Sequence, residues 1–278
     1  MEYVAAHGAR LPAIGLGTWD LRGRDCYEAV KTALAVGYRH IDTAELYGNE
    51  AEIGAAIRDS GVARGDIFVT TKIPMGQLRA AQVKRNAEES LRKLGTDHLD
   101  LLLIHWPSRD EPLDETLGVF GNLLEAGKTR FIGVSNFTVA LLAETIEKHR
   151  APIICNQIEY HPYLSQLPVL AAARKYGLAV TAYSPLARGK VAHDPDLAAI
   201  GKKYGKSATQ VALRWLIEQG NVAAIPKASS REHAATNLAI FDFTLAPEDR
   251  ARIDAKRGAT RFVDPRGWAP EWDPPGAG

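Results

Sequence analysis

The sequence predicts an α/β protein that forms a single (β/α)8 TIM barrel domain over residues 1–278. Short apolar runs ending in polar residues alternate with longer amphipathic segments about eight times along the chain, a pattern typical of parallel strands joined by helical crossovers. The run at 99–104 is apolar enough for a strand buried on both faces. No linker interrupts the alternation, and eight units in an unbroken chain favour a closed barrel.

The predicted strands, in chain order, are 14–18, 38–43, 67–72, 99–106, 131–136, 153–160, 178–185 and 222–227. Between them lie helical segments, among which 80–95 and 207–220 have apolar residues near a 3.6-residue period. Ser207 is a plausible N-cap of the second segment and Gly220 a plausible C-cap.

The two ends of the chain lie outside this repeat. The N-terminal stretch is expected to form a β-hairpin that turns at His7-Gly8 and closes the bottom of the barrel. The C-terminal residues 257–278 are rich in proline and glycine and carry Trp268 and Trp272. We expect an irregular segment near the active-site face.

An open, doubly wound sheet is the structural alternative. It would bind a dinucleotide at a glycine-rich turn between a strand and a helix. The chain has Gly-Leu-Gly at 15–17, but Thr18-Trp19-Asp20 follows instead of a helix. The sequence therefore lacks that cofactor-binding turn.

The composition of the chain indicates which kinds of partner the protein has. The net charge is +1, with no long run of either sign, so nucleic acid is not an expected partner. Cys26 and Cys155 lie far apart, and no stretch approaches the ~20 apolar residues of a membrane span. We expect a soluble, cytoplasmic, monomeric protein that acts on a small molecule without a metal.

Polar and aromatic residues collect at the carboxyl ends of the predicted strands, where barrel active sites are built. Taken singly, an aspartate there is as often a helix cap, a lysine a solvated charge and a histidine a core residue. Together they indicate a site, because each would be expensive to bury without a purpose. In chain order these residues are Trp19, Asp42, Lys72, His105, Ser135, Asn136, Gln157, Tyr183, Ser184 and Lys227.

Carbonyl reduction assigns roles to four residues. Tyr47 follows Asp42 by five positions and can give a proton to the carbonyl oxygen. An ammonium about 4 Å from a phenol stabilises the phenolate by roughly 4 kcal/mol at an effective dielectric of ~20. Lys72 could therefore lower the pKa of Tyr47 by up to about three units, before any offset from a nearby carboxylate. Asp42 would keep Lys72 protonated, and His105 could donate a hydrogen bond to the substrate oxygen.

A set of motifs now resembles the aldo-keto reductase superfamily over the whole chain. The resemblance implies a barrel that binds NADPH without a Rossmann motif, and it assigns Asp42, Tyr47, Lys72 and His105 to the family's catalytic tetrad. The motifs are GYRHIDTAELYGNE (37–50), TTK (70–72), LLLIHWP (101–107), GVSNF (133–137), NQIEYHP (156–162), AYSPLARG (182–189) and IPKASS (225–230).

The same resemblance implies the cofactor contacts. The nicotinamide carboxamide would be bound by Ser135, Asn136 and Gln157, and its ring would stack on Tyr183. Ser184 and Leu186 would meet the pyrophosphate. The adenosine end would contact Lys227, Ser229, Ser230 and Asn237.

Two positions depart from the family pattern. His233 stands where most NADPH-preferring members have arginine, and Thr236 where many have glutamate. Histidine lacks the permanently charged, bidentate fork of arginine. We expect NADPH to be favoured over NADH by a smaller margin than in those members, with NADH use possible.

Four tryptophans, Trp19, Trp106, Trp268 and Trp272, are candidates for the substrate pocket walls, with ordinary packing as the alternative. The loops after His105 and Tyr183 are short compared with those of steroid-reducing relatives. We therefore expect small, aromatic and dicarbonyl substrates.

Two other functions remain open at this point. Lys72 could act as the Schiff-base nucleophile of a barrel aldolase, which requires a neutral lysine and so conflicts with the adjacent Asp42. The chain could also be a non-catalytic regulatory or structural relative, against which the complete tetrad argues.

Overall fold

The computed structural model describes residues 2–276, so both ends of the predicted domain, Met1 and residues 277–278, lie outside the described range. Within it, strands and helices alternate as the sequence predicts. The strands are β1 (Tyr3–Ala6), β2 (Ala9–Pro12), β3 (Leu16–Gly17), β4 (His40–Asp42), β5 (Phe68–Ile73), β6 (Leu99–Ile104), β7 (Thr129–Ser135), β8 (Ile153–Glu159), β9 (Ala179–Tyr183) and β10 (Val222–Ala224).

Strands β3 to β10 form one parallel sheet in sequence order. The sheet closes on itself where β3 meets β10, because Ile14 and Ala224 form a parallel bridge. Backbone hydrogen bonds hold this seam, from Ala224 N to Ala13 O at 2.8 Å and from Gly15 N to Ala224 O at 2.9 Å. The predicted eight-stranded barrel is confirmed.

The Gly-Leu-Gly sequence belongs to this seam. A Cβ atom on Gly17 would lie 2.6 Å from the carbonyl oxygen of Ile225, and one on Gly15 would lie 2.7 Å from Nδ1 of His40. Gly17 therefore allows two backbone segments to approach closely, and Gly15 leaves room for the imidazole of His40. These glycines therefore serve barrel closure.

Ten α-helices cover the strands in the described part of the chain. They are α1 (Gly23–Val36), α2 (Glu50–Asp59), α3 (Ala80–Leu94), α4 (Leu113–Glu125), α5 (Val139–Ala143), α6 (Leu167–Lys175), α7 (Pro195–Tyr204), α8 (Ala208–Ile217), α9 (Arg231–Leu238) and α10 (Pro247–Asp254). A π-helical turn, Glu144–Lys148, extends α5. No helix among residues 2–276 is long and apolar enough to cross a bilayer.

Helix α8 confirms one predicted cap and corrects the other. Ser207 is the N-cap, and it forms a capping box with Gln210. The helix ends at Ile217 with Glu218 as C-cap, so the predicted cap at Gly220 is wrong. Gly220 lies in the turn that follows, at φ 93°.

The N-terminal hairpin forms as predicted. Strands β1 and β2 pair antiparallel around His7 and Gly8, whose φ values are 44° and 84°. Both values are left-handed, as a two-residue type I′ turn requires. The imidazole of His7 lies 2.8 Å from the carbonyl oxygen of Tyr176, which precedes β9. The hairpin therefore covers the amino ends of the strands, at the bottom of the barrel.

The C-terminal segment crosses the opposite face. Residues 257–276 contain neither helix nor strand apart from an isolated bridge between Ala259 and Leu164. Backbone N–H groups of Phe262 and Val263 donate to the carboxylate of Glu159, at the carboxyl end of β8. The irregular segment thus lies at the active-site face, as expected.

Candidate active site

The four predicted catalytic side chains come from neighbouring positions on this face. Asp42 ends β4, Lys72 is the next-to-last residue of β5, and His105 directly follows β6. These three strands are hydrogen-bonded neighbours, so their carboxyl ends lie side by side. Tyr47 comes from the loop after β4.

That loop is held by a buried asparagine. Tyr47 ends a 3-10 turn, Glu45–Tyr47, which Gly48 terminates at φ 66°. Asn49 is fully buried, donates to the carbonyl of Thr18 at 3.0 Å and accepts from the hydroxyl of Thr43 at 2.7 Å. Asn49 therefore fixes the path of the chain on which Tyr47 is carried.

Lys72 and Asp42 form a buried ion pair. The lysine Nζ donates to Asp42 Oδ1 at 2.5 Å and to the carbonyl of Thr43 at 2.6 Å, and its side chain is 0% exposed. Burial opposes the charge on Lys72, but attraction to Asp42 and Tyr47 outweighs it and raises the lysine pKa. The ammonium is therefore charged, which argues against a Schiff-base role.

The ring of Tyr47 is close to both the ammonium and the histidine. Lys72 Nζ is 5.4 Å from the centre of the phenol ring, and the His105 ring centre is 5.8 Å from it. Burial raises the pKa of Tyr47 and the charge of Lys72 lowers it, while Asp42 raises it further. Lys72 therefore acts in the expected direction, but burial, which the sequence argument left out, outweighs it and the net pKa is raised.

His105 is held neutral. Its side chain is 8% exposed, and burial, with a smaller contribution from Lys72, lowers its pKa to about 3. Its Nδ1 is buried without a hydrogen-bond partner in the described residues. A neutral imidazole carries one N–H donor, which suits a hydrogen bond to a carbonyl oxygen.

A second group of polar side chains is hydrogen-bonded directly to two of these four residues, Asp42 and His105. Gln157 Nε2 donates to the free oxygen of Asp42, Oδ2, at 2.6 Å. Asn136 donates to the backbone carbonyl of His105 at 2.9 Å and accepts from the hydroxyl of Tyr183 at 2.8 Å. The residues predicted to bind the carboxamide and the residues predicted to be catalytic therefore belong to one hydrogen-bonded network.

Ser135, Ser184 and Leu186 are the next residues along these strand ends, and together with Asn136, Gln157 and Tyr183 they are called the rim of the site. The Ser135 hydroxyl donates to the carbonyl of Gln157 at 2.8 Å. Ser184 and Leu186 are half-buried in the turn after β9, where Ser184 has a φ of 47° and Ala187 one of 51°. The N–H of Ala187 donates back to the carbonyl of Ser184 at 2.8 Å, and left-handed residues in such turns are typical of anion-binding loops.

The residues predicted for the adenosine end gather before and on α9. Lys227 donates to the carbonyl of Asp20 at 3.2 Å, and Ser230 caps α9 by accepting from His233 N at 3.1 Å. His233 and Ser229 are exposed, Thr236 is half-buried, and Asn237 is buried at 5% exposure.

The four tryptophans separate into two groups. Trp106 and Trp272 contact each other edge to face, with ring centres 6.1 Å apart. Trp19 is 57% exposed and lies by Arg188, whose guanidinium is 5.7 Å from its ring centre. Trp268 is 36% exposed. Of the four, Trp106, which follows His105 in the sequence, and Trp272 are in contact with each other in the described part of the chain.

Sequence reasoning did not single out Glu159, Arg261 or Asn49. Glu159 follows Gln157 by two residues and so points to the same side of β8, a signal that was present in the alternation. Arg261 lies in the irregular segment, where no periodicity marks it. Over residues 2–276, no cluster of three or more histidine, cysteine or acidic side chains could hold a metal.

Comparison with known proteins identifies the fold and chemistry. The model of the Aldo/keto reductase family matches residues 13–257. The chain belongs to the aldo-keto reductase family. It is 41% identical to methylglyoxal reductase DkgB of Escherichia coli O157:H7 over 95% of this chain and 99% of that protein.

Two solved structures have the same fold as this chain. A crystal structure described as a candidate 2,5-diketo-D-gluconic acid reductase B shares 45% identity and a TM-score of 0.96, covering 99% of this chain and 98% of that one. An aldo-keto reductase from a Medee basin deep-sea metagenome library shares 38% identity and a TM-score of 0.89, covering 92% and 95%.

This aldo-keto reductase is therefore a carbonyl-reducing oxidoreductase, of a family that uses a nicotinamide cofactor. The comparisons give no support to an aldolase or to a non-catalytic relative.

Proposed function

We propose that this protein reduces small and aromatic aldehydes and dicarbonyls such as methylglyoxal to alcohols with NADPH, and that Tyr47 is the proton donor. The observation that carries the proposal is the packing of the Tyr47 ring close to both the buried, charged Lys72 and the neutral His105. A relative of 41% identity is named for methylglyoxal reduction.

The residues divide the chemistry between them. A bound nicotinamide cofactor supplies the hydride that the carbonyl carbon receives. The Tyr47 hydroxyl gives its proton to the carbonyl oxygen. The Lys72 ammonium, 5.4 Å from the Tyr47 ring centre, stabilises the phenolate left behind through its positive charge.

His105 positions the substrate. Its imidazole is neutral, so it donates a hydrogen bond without adding a second positive charge beside Lys72. A donor aimed at the carbonyl oxygen stabilises negative charge as it develops there. Asp42 keeps Lys72 charged and accepts from Gln157, which links proton transfer to the cofactor rim.

The donors at the rim fit a nicotinamide carboxamide. A primary amide needs both donors and acceptors, and Gln157 presents both types at the carboxyl end of β8. Ser135 and Asn136 would bind the same group, and Tyr183 offers an aromatic face beside them. The turn with Ser184 and Leu186 would bind the pyrophosphate.

The adenosine end would be bound by Lys227, Ser229, Ser230, His233 and Asn237. The Lys227 side chain is 41% exposed and carries the positive charge that a 2′-phosphate needs. We propose that NADPH is preferred over NADH. Two features reduce the preference for NADPH. His233 replaces an arginine, and the carbonyl and carboxylate of Asp20 lie beside Lys227.

We also propose a monomer of one domain in the cytoplasm, over residues 1–278. Both cysteines, Cys26 and Cys155, are buried free thiols, which is consistent with a reducing compartment.

Tyr47→Phe tests the proton donor. Removing only the hydroxyl should leave the barrel and NADPH binding intact while kcat/KM for methylglyoxal falls by several orders of magnitude. Tyr176→Phe, at the bottom of the barrel, is the matched control and should keep wild-type rates. A folded Tyr47→Phe protein that binds NADPH and turns over at wild-type rates would refute the role.

A further inference from the structure

The loop that carries Tyr47 is bonded to strand β5 on both faces of that strand. On the inner face, Lys72 Nζ donates to the backbone carbonyl of Thr43 at 2.6 Å. On the outer face, the hydroxyl of Thr71 donates to Oε1 of Glu50 at 2.7 Å. Successive side chains of a strand point to opposite faces, so these two bonds hold the loop from opposite sides, one near each of its ends.

Glu50 is the first residue of α2 and is turned into the protein. Its side chain and that of Thr71 are buried. The second carboxyl oxygen of Glu50, Oε2, is buried without a hydrogen-bond partner among residues 2–276, so the hydroxyl of Thr71 sets the direction of the carboxyl group. Burial raises the pKa of Glu50, but a carboxyl oxygen accepts this hydrogen bond in either protonation state.

Packing alone does not explain a carboxyl group at this place. Burying a polar group costs free energy, and an apolar pair of the same shape would fill the space without that cost. Attraction to the helix dipole does not require burial either, since Glu52 in the same turn of α2 is only half-buried. What the pair of Glu50 and Thr71 adds is a fixed direction, because a hydrogen bond has a preferred geometry.

The bond joins the two backbone segments that carry the phenol and the ammonium. Glu50 follows Tyr47 by three residues, and Thr71 directly precedes Lys72. Lys72 Nζ lies 5.4 Å from the centre of the Tyr47 ring. A shift of the loop along β5 would change that separation, and the attraction between the two groups depends on it.

We propose that Glu50 and Thr71 are positioning residues for proton transfer, because their hydrogen bond holds the Tyr47 loop against β5 and so sets the distance from the phenol to Lys72. This inference rests on the proposed role of Tyr47 as the proton donor. Both side chains act from the outer face of β5. The bond therefore affects the rate of the chemical step and leaves the affinity for the substrate unchanged.

The test compares Thr71→Val with the double variant Thr71→Val/Glu50→Leu, using methylglyoxal and NADPH. Thr71→Val leaves a Glu50 oxygen buried without its donor, so resistance to urea should fall. Its kcat should fall by about 10- to 100-fold with KM unchanged, since a misplacement of ~1 Å can cost about 100-fold in rate. The double variant removes both polar partners, so resistance to urea should return while kcat stays low.

Two single variants serve as controls. Glu50→Gln keeps a hydrogen-bonding partner for Thr71 and should keep most of the wild-type kcat. Thr129→Val removes an equally buried threonine hydroxyl, which donates to the carbonyl of Phe131 at 2.6 Å at the start of β7, at the bottom of the barrel. Thr129→Val should lose resistance to urea but keep wild-type kcat.

Three results would overturn the inference. A kcat that returns together with stability in the double variant would show that the bond only supports packing. An unchanged kcat in Thr71→Val would show that the loop keeps its place without the bond. A change confined to KM would place the effect on substrate binding. If Thr71→Val does not fold, the double variant must still have a lower kcat than wild type.

Failure of the proposed function is distinguishable from failure of this inference. If the wild type reduces no carbonyl, hydrogen–deuterium exchange of residues 43–49 still measures how firmly the loop is held. Exchange there should be about 10-fold faster in Thr71→Val than in wild type, with Thr129→Val unchanged. Equal exchange in wild type and Thr71→Val would show that the bond does not hold the loop, and the inference would be abandoned.

Discussion

The stability of this protein should depend on pH through His105. Burial lowers the pKa of this histidine to about 3 in the folded protein, whereas an unfolded chain has a histidine pKa of about 6.5. The unfolded state therefore takes up a proton first as the pH falls. The contribution to stability is complete above about pH 6.5 and is lost as the pH falls toward 3.

The size of the effect follows from the same two values. At pH 5, about 1.5 units below the unfolded pKa, the loss is about 2 kcal/mol at ~1.36 kcal/mol per unit. His105→Gln keeps an N–H donor but cannot titrate. We expect the free energy of unfolding to fall between pH 7.5 and 5.0 by about 2 kcal/mol more in wild type than in His105→Gln.

Urea unfolding at the two pH values measures this difference. Burial also lowers the pKa of His40, and wild type and variant share that residue, so its effect cancels. His193→Gln, at an exposed position, is the control and should lose as much stability as wild type. Equal losses in wild type and His105→Gln would mean that His105 is not held neutral, and its role as a neutral donor would be abandoned.

Three further changes have expected outcomes. Asp42→Asn leaves the Lys72 ammonium buried without a counter-charge, so urea unfolding should show a loss of about 3–5 kcal/mol, and adding Lys72→Met should recover part of it. Glu159→Gln removes the charge that anchors the C-terminal segment, so trypsin should cleave that segment faster while the rest of the barrel stays resistant. His233→Arg adds a permanent charge, and fluorescence quenching should show NADPH binding up to about 10- to 100-fold tighter, with NADH binding unchanged.

The barrel and the positions of the four candidate catalytic residues could be predicted because both depend on local pattern. Asp42, Lys72 and His105 each end an apolar run, and parallel strands bring such ends to one face. The hairpin could be predicted for the same reason, since His7-Gly8 specifies its own turn.

The connections across the barrel could not be predicted. The hydrogen bond from Gln157 to Asp42 joins residues 115 positions apart. Its formation depends on the curvature of the closed sheet. The bond from Asn136 to the His105 carbonyl depends on the chain leaving β6 at Ile104, two residues before the predicted end. Neither curvature nor strand length follows from alternation alone.

Tyr47 shows why an argument from neighbouring charges alone does not give the net direction of a pKa shift. The sequence reveals that Lys72 can approach Tyr47 and that Asp42 can pair with Lys72, but it does not reveal that the phenol is desolvated. Desolvation opposes the phenolate more strongly than Lys72 favours it. A raised pKa keeps Tyr47 protonated at neutral pH, which is the state that a proton donor in carbonyl reduction requires, and Lys72 then acts on the phenolate only after the proton has left.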